Sequence, residues 1–201
     1  WVKYKLHFYI LPLEKEAQTD VYMAELYFQK DSFNLALDGD GQYAGFLDII
    51  DDYSSTNVGQ LANYYAGLCY LNIGEYENAI EYLEDFSSND IILSSLALGC
   101  IGDAYMELGD IDNAMDAYEY AIENSENEFT TPRFMMKLAM IHELNGDYTE
   151  ALNLYQNIKQ DFKFFVNFQS DKWFKQAGVI ATGKGGLSTT DTGIAFKKVS
   201  K

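Results

Sequence analysis

Small, apolar and aromatic residues recur along this chain at helical intervals and then, in three consecutive blocks, at a fixed offset. Aligned on Gly74, Gly109 and Gly146, the blocks place a small residue at Gly67, Gly102 and Ala139, and a ring three positions later at Tyr70, Tyr105 and His142. Beyond the glycine the agreement continues through Tyr76, Ile111 and Tyr148, then Ala79, Ala114 and Ala151, then Leu83, Tyr118 and Tyr155. Spacings of three and four residues put these side chains on one helical face, and the glycine supplies the left-handed residue that ends a helix. Each block is thereby predicted to be two helices joined by a tight turn, closely approached where the small residues stand. One such hairpin cannot bury both faces of its apolar stripe, so successive hairpins stack around a continuous core.

A degenerate copy precedes the three. Ala17, Val21, Ala24, Tyr27 and Phe28 share one face of a helix predicted over Glu14 to Lys30, and the following DSFNLAL parallels GEYENAI. Ala24, Tyr27, Phe33 and Ala36 then occupy the small, aromatic, post-turn and alanine positions. The second helix is broken by Asp38-Gly39-Asp40-Gly41 and is predicted to resume over Tyr43 to Tyr53, with Phe46, Leu47 and Ile50 on one side. Ser54 to Asn57 forms a polar connector, and the clear units run on to Gln160. In the loop NSENEFTTP, Thr131 reads as an N-cap with Pro132 at the first helical position, and Phe129 is either tucked into the core or offered to a partner. After Asp161 the register stops. Phe162, Phe165, Phe168 and Trp173 are predicted to form a closing helix, followed by a Gly/Ser/Thr-rich tail with a short strand at Ile194 to Val199.

This pattern resembles the tetratricopeptide repeat, most fully in the unit that carries Leu98, Ile101, Gly102, Tyr105, Ala114, Tyr118 and Ala121. Departures are that Asn63 stands where the family prefers tryptophan, His142 replaces a tyrosine and the closing proline is absent. Successive small positions lie 35 and then 37 residues apart, against a family period of about 34. The resemblance implies an all-α superhelix of helical hairpins, with about three clear repeats, one degenerate N-terminal repeat and a C-terminal capping helix. Residues 1–13 form an edge before it, residues 14–160 the repeat domain, and residues 161–201 the cap and basic tail.

Composition narrows the partners. With 14 Lys and Arg against 31 Asp and Glu the formal charge is −17, which argues against nucleic acid or anionic lipid headgroups as targets of the repeat body. The charge is uneven. Residues 1–160 hold seven basic and twenty-eight acidic side chains, and residues 161–201 hold seven lysines and three aspartates. Cys69 and Cys100 stand where small apolar residues are expected and read as buried free thiols; a disulfide would need their Cα atoms within reach.

Candidate chemistry is tested against the same residues. Asp38-Gly39-Asp40-Gly41 alternates like a calcium loop, but the sixth and twelfth positions, Tyr43 and Ile49, lack the required glycine and glutamate. Gly178 to Gly185 falls one residue short of a phosphate-binding loop, with Gly185 where the magnesium-holding hydroxyl belongs. His7 and His142 have no metal-ligand partner at useful spacing. No catalytic, cofactor or metal site is expected, and enzymatic activity is not.

What remains is recognition. The repeat family lines the inner face of its superhelix with first helices, and carrying that over implies a partner-binding face of Tyr64, Leu68, Leu71, Asp103, Met106, Glu107, Arg133, Met136, Met140 and Glu143. Methionines and leucines between acids suit an extended or helical peptide of apolar and basic character, while acidic tails are repelled. At the N-terminal edge, Trp1, Tyr4, Phe8 and Tyr9 among Lys3 and Lys5 read either as the end of a membrane anchor or as a helix packing on the repeats. The first reading is similar to the ancillary translocon-subunit group: a tethered adaptor of the bacterial inner membrane with its repeats on the periplasmic side, meeting translocon components or emerging polypeptides. The alternative is a soluble, cytoplasmic scaffold that docks one folded partner or forms a homo-oligomer.

Overall fold

A computed structural model describes residues 6–124, 126–163 and 165 of the chain. Those residues are helices and short connections, with no strand among them. A π-type turn over Leu6–Ile10 leads into α1 (Leu11–Asp20), and α2 (Tyr22–Gln29), α3 (Phe33–Asp38) and α4 (Phe46–Tyr53) follow. Three hairpins come next: α5 (Asn57–Ile73) with α6 (Tyr76–Asp85), α7 (Ile91–Leu108) with α8 (Ile111–Asn124), and α9 (Thr131–Asn145) with α10 (Tyr148–Asp161). Each of these helices packs on its neighbours in the chain, the order expected of a stacked solenoid. The all-α repeat architecture read from the sequence is the architecture observed.

The turns form as the glycine register requires. Gly74, Gly109 and Gly146 have φ of 84°, 79° and 85°, where a side chain would be strained. In each, the amide after the glycine reaches back to the ring position: Glu75 N to Tyr70 O at 2.9 Å, Asp110 N to Tyr105 O at 2.9 Å, and Asp147 N to His142 O at 2.8 Å. These bonds satisfy the last carbonyls of the first helix.

Packing follows the same register. A Cβ added to Gly67 would lie 2.5 Å from Leu83 Cγ, and one added to Gly102 would lie 2.6 Å from the Tyr118 ring. The alanines after the turn, Ala79, Ala114 and Ala151, are all buried. Buried residues group into clusters centred on α1–α5, on α6–α8, on α8–α9 and on α9–α10. By composition α7 is long and apolar enough to cross a membrane, but Ala97, Ile101 and Ala104 meet Ile80 and Leu83 of α6 and Ala117 of α8 in one of these clusters.

The degenerate repeat shares a core with α5, with Ala24, Ala36, Phe46 and Ile49 fully buried and Phe46 stacked on Tyr65 at 5.2 Å. Its details differ from expectation in three ways. The helix predicted over Glu14 to Lys30 is divided at Val21 into α1 and α2. The broken helix resumes at Phe46, not Tyr43, because Asp40 holds the intervening loop: its carboxylate accepts from Gln42 N, Tyr43 N and the Tyr27 hydroxyl at 2.9, 2.8 and 2.6 Å. Starting there, the inward residues are Phe46, Ile49 and Tyr53, while Leu47 and Ile50 are half-buried. These bonds also explain Asp38 to Gly41 without a cation, since the Asp40 oxygens are occupied by donors of the chain itself.

At the other end, α9 begins at Thr131 with Thr130 as its N-cap residue, one position earlier than expected. Phe129 before it is exposed, and Asn127 ties the loop by accepting from Phe129 N and Thr130 N, each at 2.8 Å. Phe162 is buried and Phe165 packs on the last repeat, so apolar cover for that repeat continues past the end of α10. Phe168, Trp173, Gly178 to Gly185 and the strand at Ile194 to Val199 lie outside the described residues, as do Trp1 and Tyr4.

Candidate interaction face

The first helix α5 touches α7, and a small residue lets a ring of α9 reach α7. Phe134 of α9 covers Gly99 of α7 so closely that a Cβ there would stand 2.0 Å from the ring. Phe134 also stacks on Tyr118 at 6.1 Å with planes 16° apart. Burial raises the Tyr64 phenol of α5 to about 12, and the charge of Arg133 on α9 opposes that rise. These interactions link the first helices of all three repeats, and the expected interaction face runs along them.

At its centre is Asp103. Its Oδ1 accepts from the Tyr118 hydroxyl at 2.5 Å and pairs with Lys137 Nζ, which itself lies 5.4 Å over the Tyr118 ring. The carboxylate joins the two helices of repeat three to the first helix of repeat four. Burial and this carboxylate push the Tyr118 hydroxyl far up, so it remains a donor. A parallel arrangement recurs one repeat on, where the Tyr155 hydroxyl bonds Glu143. Burial raises the Glu143 carboxyl above its ordinary value, and the Tyr155 bond opposes that rise.

The residues expected on this face divide into three groups. Leu68, Met106 and Met140 are half-exposed, the two methionines also packing on the cores of their repeats, and Arg133 and Glu107 are exposed. Tyr64 and Leu71 contribute mainly packing against the core of repeats two and three, the Tyr64 ring lying 5.3 Å from Phe86. Met136 does not belong to the surface: it is 8% exposed and sits with Ala139, Ala151, Tyr155 and Ile158. The reason is helical phase, since Met136 stands three residues before Ala139, on the face that meets α10.

Lys137 is the residue that sequence reasoning misses. It stands four positions after Arg133 and so shares its face, a spacing that is enough to identify it. Cys100, half-buried beside Asp103 and Lys137, belongs to the face as well, and burial raises its thiol to about 11. Cys69 is buried, and both cysteines are free. Among the described residues no group of three His, Cys, Asp or Glu is placed to hold a metal ion. His142 occupies the ring position of repeat four with its Nδ1 3.8 Å from Asp147.

A tetratricopeptide repeat family model matches residues 101–161, and a second tetratricopeptide repeat model matches residues 61–90. Tetratricopeptide repeats thus occupy these two stretches of the chain. Over 126 residues, or 59% of its length, the repeat chain is 30% identical to the Photosystem I assembly protein Ycf3 of Prochlorococcus marinus. That match spans 61% of the relative's length. Among solved structures, the crystal structure of MamA protein superposes with a TM-score of 0.58 at 19% identity, covering 86% of this chain and 96% of that one. A second MamA crystal structure gives a TM-score of 0.51 at 20% identity, covering 84% and 80%. The structural likeness shows the fold. Repeats of this family bind protein partners, and such scaffolds are typically non-enzymatic. These matches carry the repeat and its binding role and do not extend to the membrane-anchored translocon group.

Proposed function

We propose that the chain is a non-enzymatic adaptor whose first-helix face holds an extended or helical segment of a partner protein, apolar and basic in character. The observation that supports this most is that Leu68, Met106 and Met140, one on each of the three first helices, stay half-exposed, with Glu107 and Arg133 exposed on the same helices. Unbranched methionines adapt to varied side chains. Because Lys137 already neutralises Asp103, the carboxylates open to a basic partner are Glu107 and, in part, Glu143. An assembly role of the kind named for Ycf3 fits such an adaptor, which would hold one component while another joins.

The test is capture of native partners by the full chain and by Leu68→Glu and Met140→Glu. Both variants should lose cross-linked partners while melting like the parent; normal capture by both would place recognition elsewhere.

A second reading is that this adaptor is tethered to the bacterial inner membrane with its repeats on the periplasmic side, serving translocon components or emerging chains. Its support is that Tyr9 and Leu11, at the N-terminal end of the stack, are 64% and 45% exposed, as residues at a membrane interface would be. Fractionation of the full gene product tests it: recovery in the soluble fraction would refute the tether and leave the adaptor reading standing.

A further inference from the structure

Repeat two has a second helix one turn shorter than its neighbours. On the glycine register, α6 ends at Asp85, the position of Tyr120 in α8 and Asn157 in α10, yet those helices continue four residues further, to Asn124 and Asp161. The next position carries Ala121 and Ile158 in repeats three and four, both fully buried. In repeat two it is Phe86, which leaves the helix with ψ of 130° and turns its ring toward Tyr64. A cleft of about 500 Å³ borders the site of the missing turn, walled by Leu83, Ala97, Ile101 and Ala117 and rimmed by Glu84 and Asp116.

This cleft is separate from the first-helix face. Ile101 and Asp103 are two residues apart on α7, about 200° around the helix axis, so the cleft opens on the side away from the Asp103–Lys137 pair. Its electrostatics are one-sided. Residues 31–132 carry twenty-one carboxylates and no lysine, arginine or histidine. Tyr120 at the mouth is 62% exposed, an aromatic surface beside uncompensated acid.

We propose that this cleft receives one turn of a cationic amphipathic helix from a partner protein. An aliphatic or aromatic side chain enters between Leu83 and Ala117, and lysine or arginine meets Glu84 and Asp116. The wall supplies apolar contact, and the acid rim selects a basic partner over an acidic one. A second copy of this surface is a poor occupant, because it would set carboxylates against carboxylates.

The test uses the full chain and, as probe, a short fluorescein-labelled helical peptide with leucine and phenylalanine on one face and lysine on the other. On the full chain carrying Leu68→Glu and Met140→Glu, which closes the first-helix face to a peptide of this chemistry, anisotropy should show saturable binding that the further double variant Glu84→Lys/Asp116→Lys weakens by about tenfold or more. The two rim residues are exposed, so folding is retained and circular dichroism checks it. Equal binding by the double variant overturns the proposal, as does equal binding of a scrambled peptide of the same charge without an apolar face. No saturable binding by the Leu68→Glu/Met140→Glu chain would place the peptide on the first-helix face and overturn the proposal. Capture of native partners through Leu68 and Met140 is read in a separate experiment, so the two sites can fail independently.

Discussion

Gly102→Ala tests the packing rule on which both faces depend. The added methyl would sit 2.6, 2.8 and 3.0 Å from three atoms of the Tyr118 ring, so the ring must retreat by several tenths of an ångström to reach ordinary contact. It has little room. Its hydroxyl is bonded to Asp103 at 2.5 Å, and Phe134 stacks against it at 6.1 Å. Overpacking costs about 1–3 kcal/mol, and a ring held at both ends belongs toward the upper part of that range. The helix-propensity gain of alanine over glycine returns about 1 kcal/mol. A net loss of about 1–2 kcal/mol is expected, a fall in melting temperature of roughly 2–8 °C for a chain of this size. Thermal and urea unfolding followed by circular dichroism measure it. The companion Tyr118→Leu should be costly alone yet relieve the Gly102→Ala penalty in the double variant, a coupling that a double-mutant cycle isolates. Gly102→Ala as stable as the parent, or additivity in the cycle, would refute the idea that a pinned ring fills the space of the missing side chain.

Other outcomes follow from the same structure. Met136→Glu should unfold the C-terminal repeats, losing about 3 kcal/mol or more by burying a carboxylate in the α9–α10 core, whereas Met140→Glu should melt like the parent; both are read from denaturation curves. Glu143→Gln should stabilise the chain at neutral pH. Burial raises the Glu143 carboxyl in the folded state, so the native chain binds more protons than the unfolded one just above the ordinary carboxylate range, and stability falls as pH rises through that window. The advantage of Glu143→Gln over the parent is therefore absent below the ordinary glutamate value of 4.5, grows as pH rises past it and is constant above the folded value; melting temperatures across a pH series check this.

How much is legible in the chain depends on whether a residue's role is set by its own helix or by another. The turn glycines, the small positions and the alanines after each turn are all readable, because one hairpin suffices to require them. The restart of α4 is not, because it depends on Asp40 reaching Tyr27, thirteen residues earlier, which no local pattern encodes. A positional rule borrowed from the repeat family puts Met136 on the surface, although its spacing from Ala139 already places it inward. The spacing from Arg133 already places Lys137 on the face, but its pairing with Asp103, thirty-four residues away, is set by the stack and not by any local pattern.

The helical hairpins, their register and the acidity of the surface follow from the chain alone, since periodicity, turn chemistry and charge are properties of short segments. Which carboxylates are answered and which stay open does not. Asp103 is matched by Lys137 from the next repeat, while Glu84 and Asp116 face a cleft bordering a turn that α6 does not make. A side chain's partner across a helix stack depends on where the neighbouring helices start, stop and touch, and that is settled by packing.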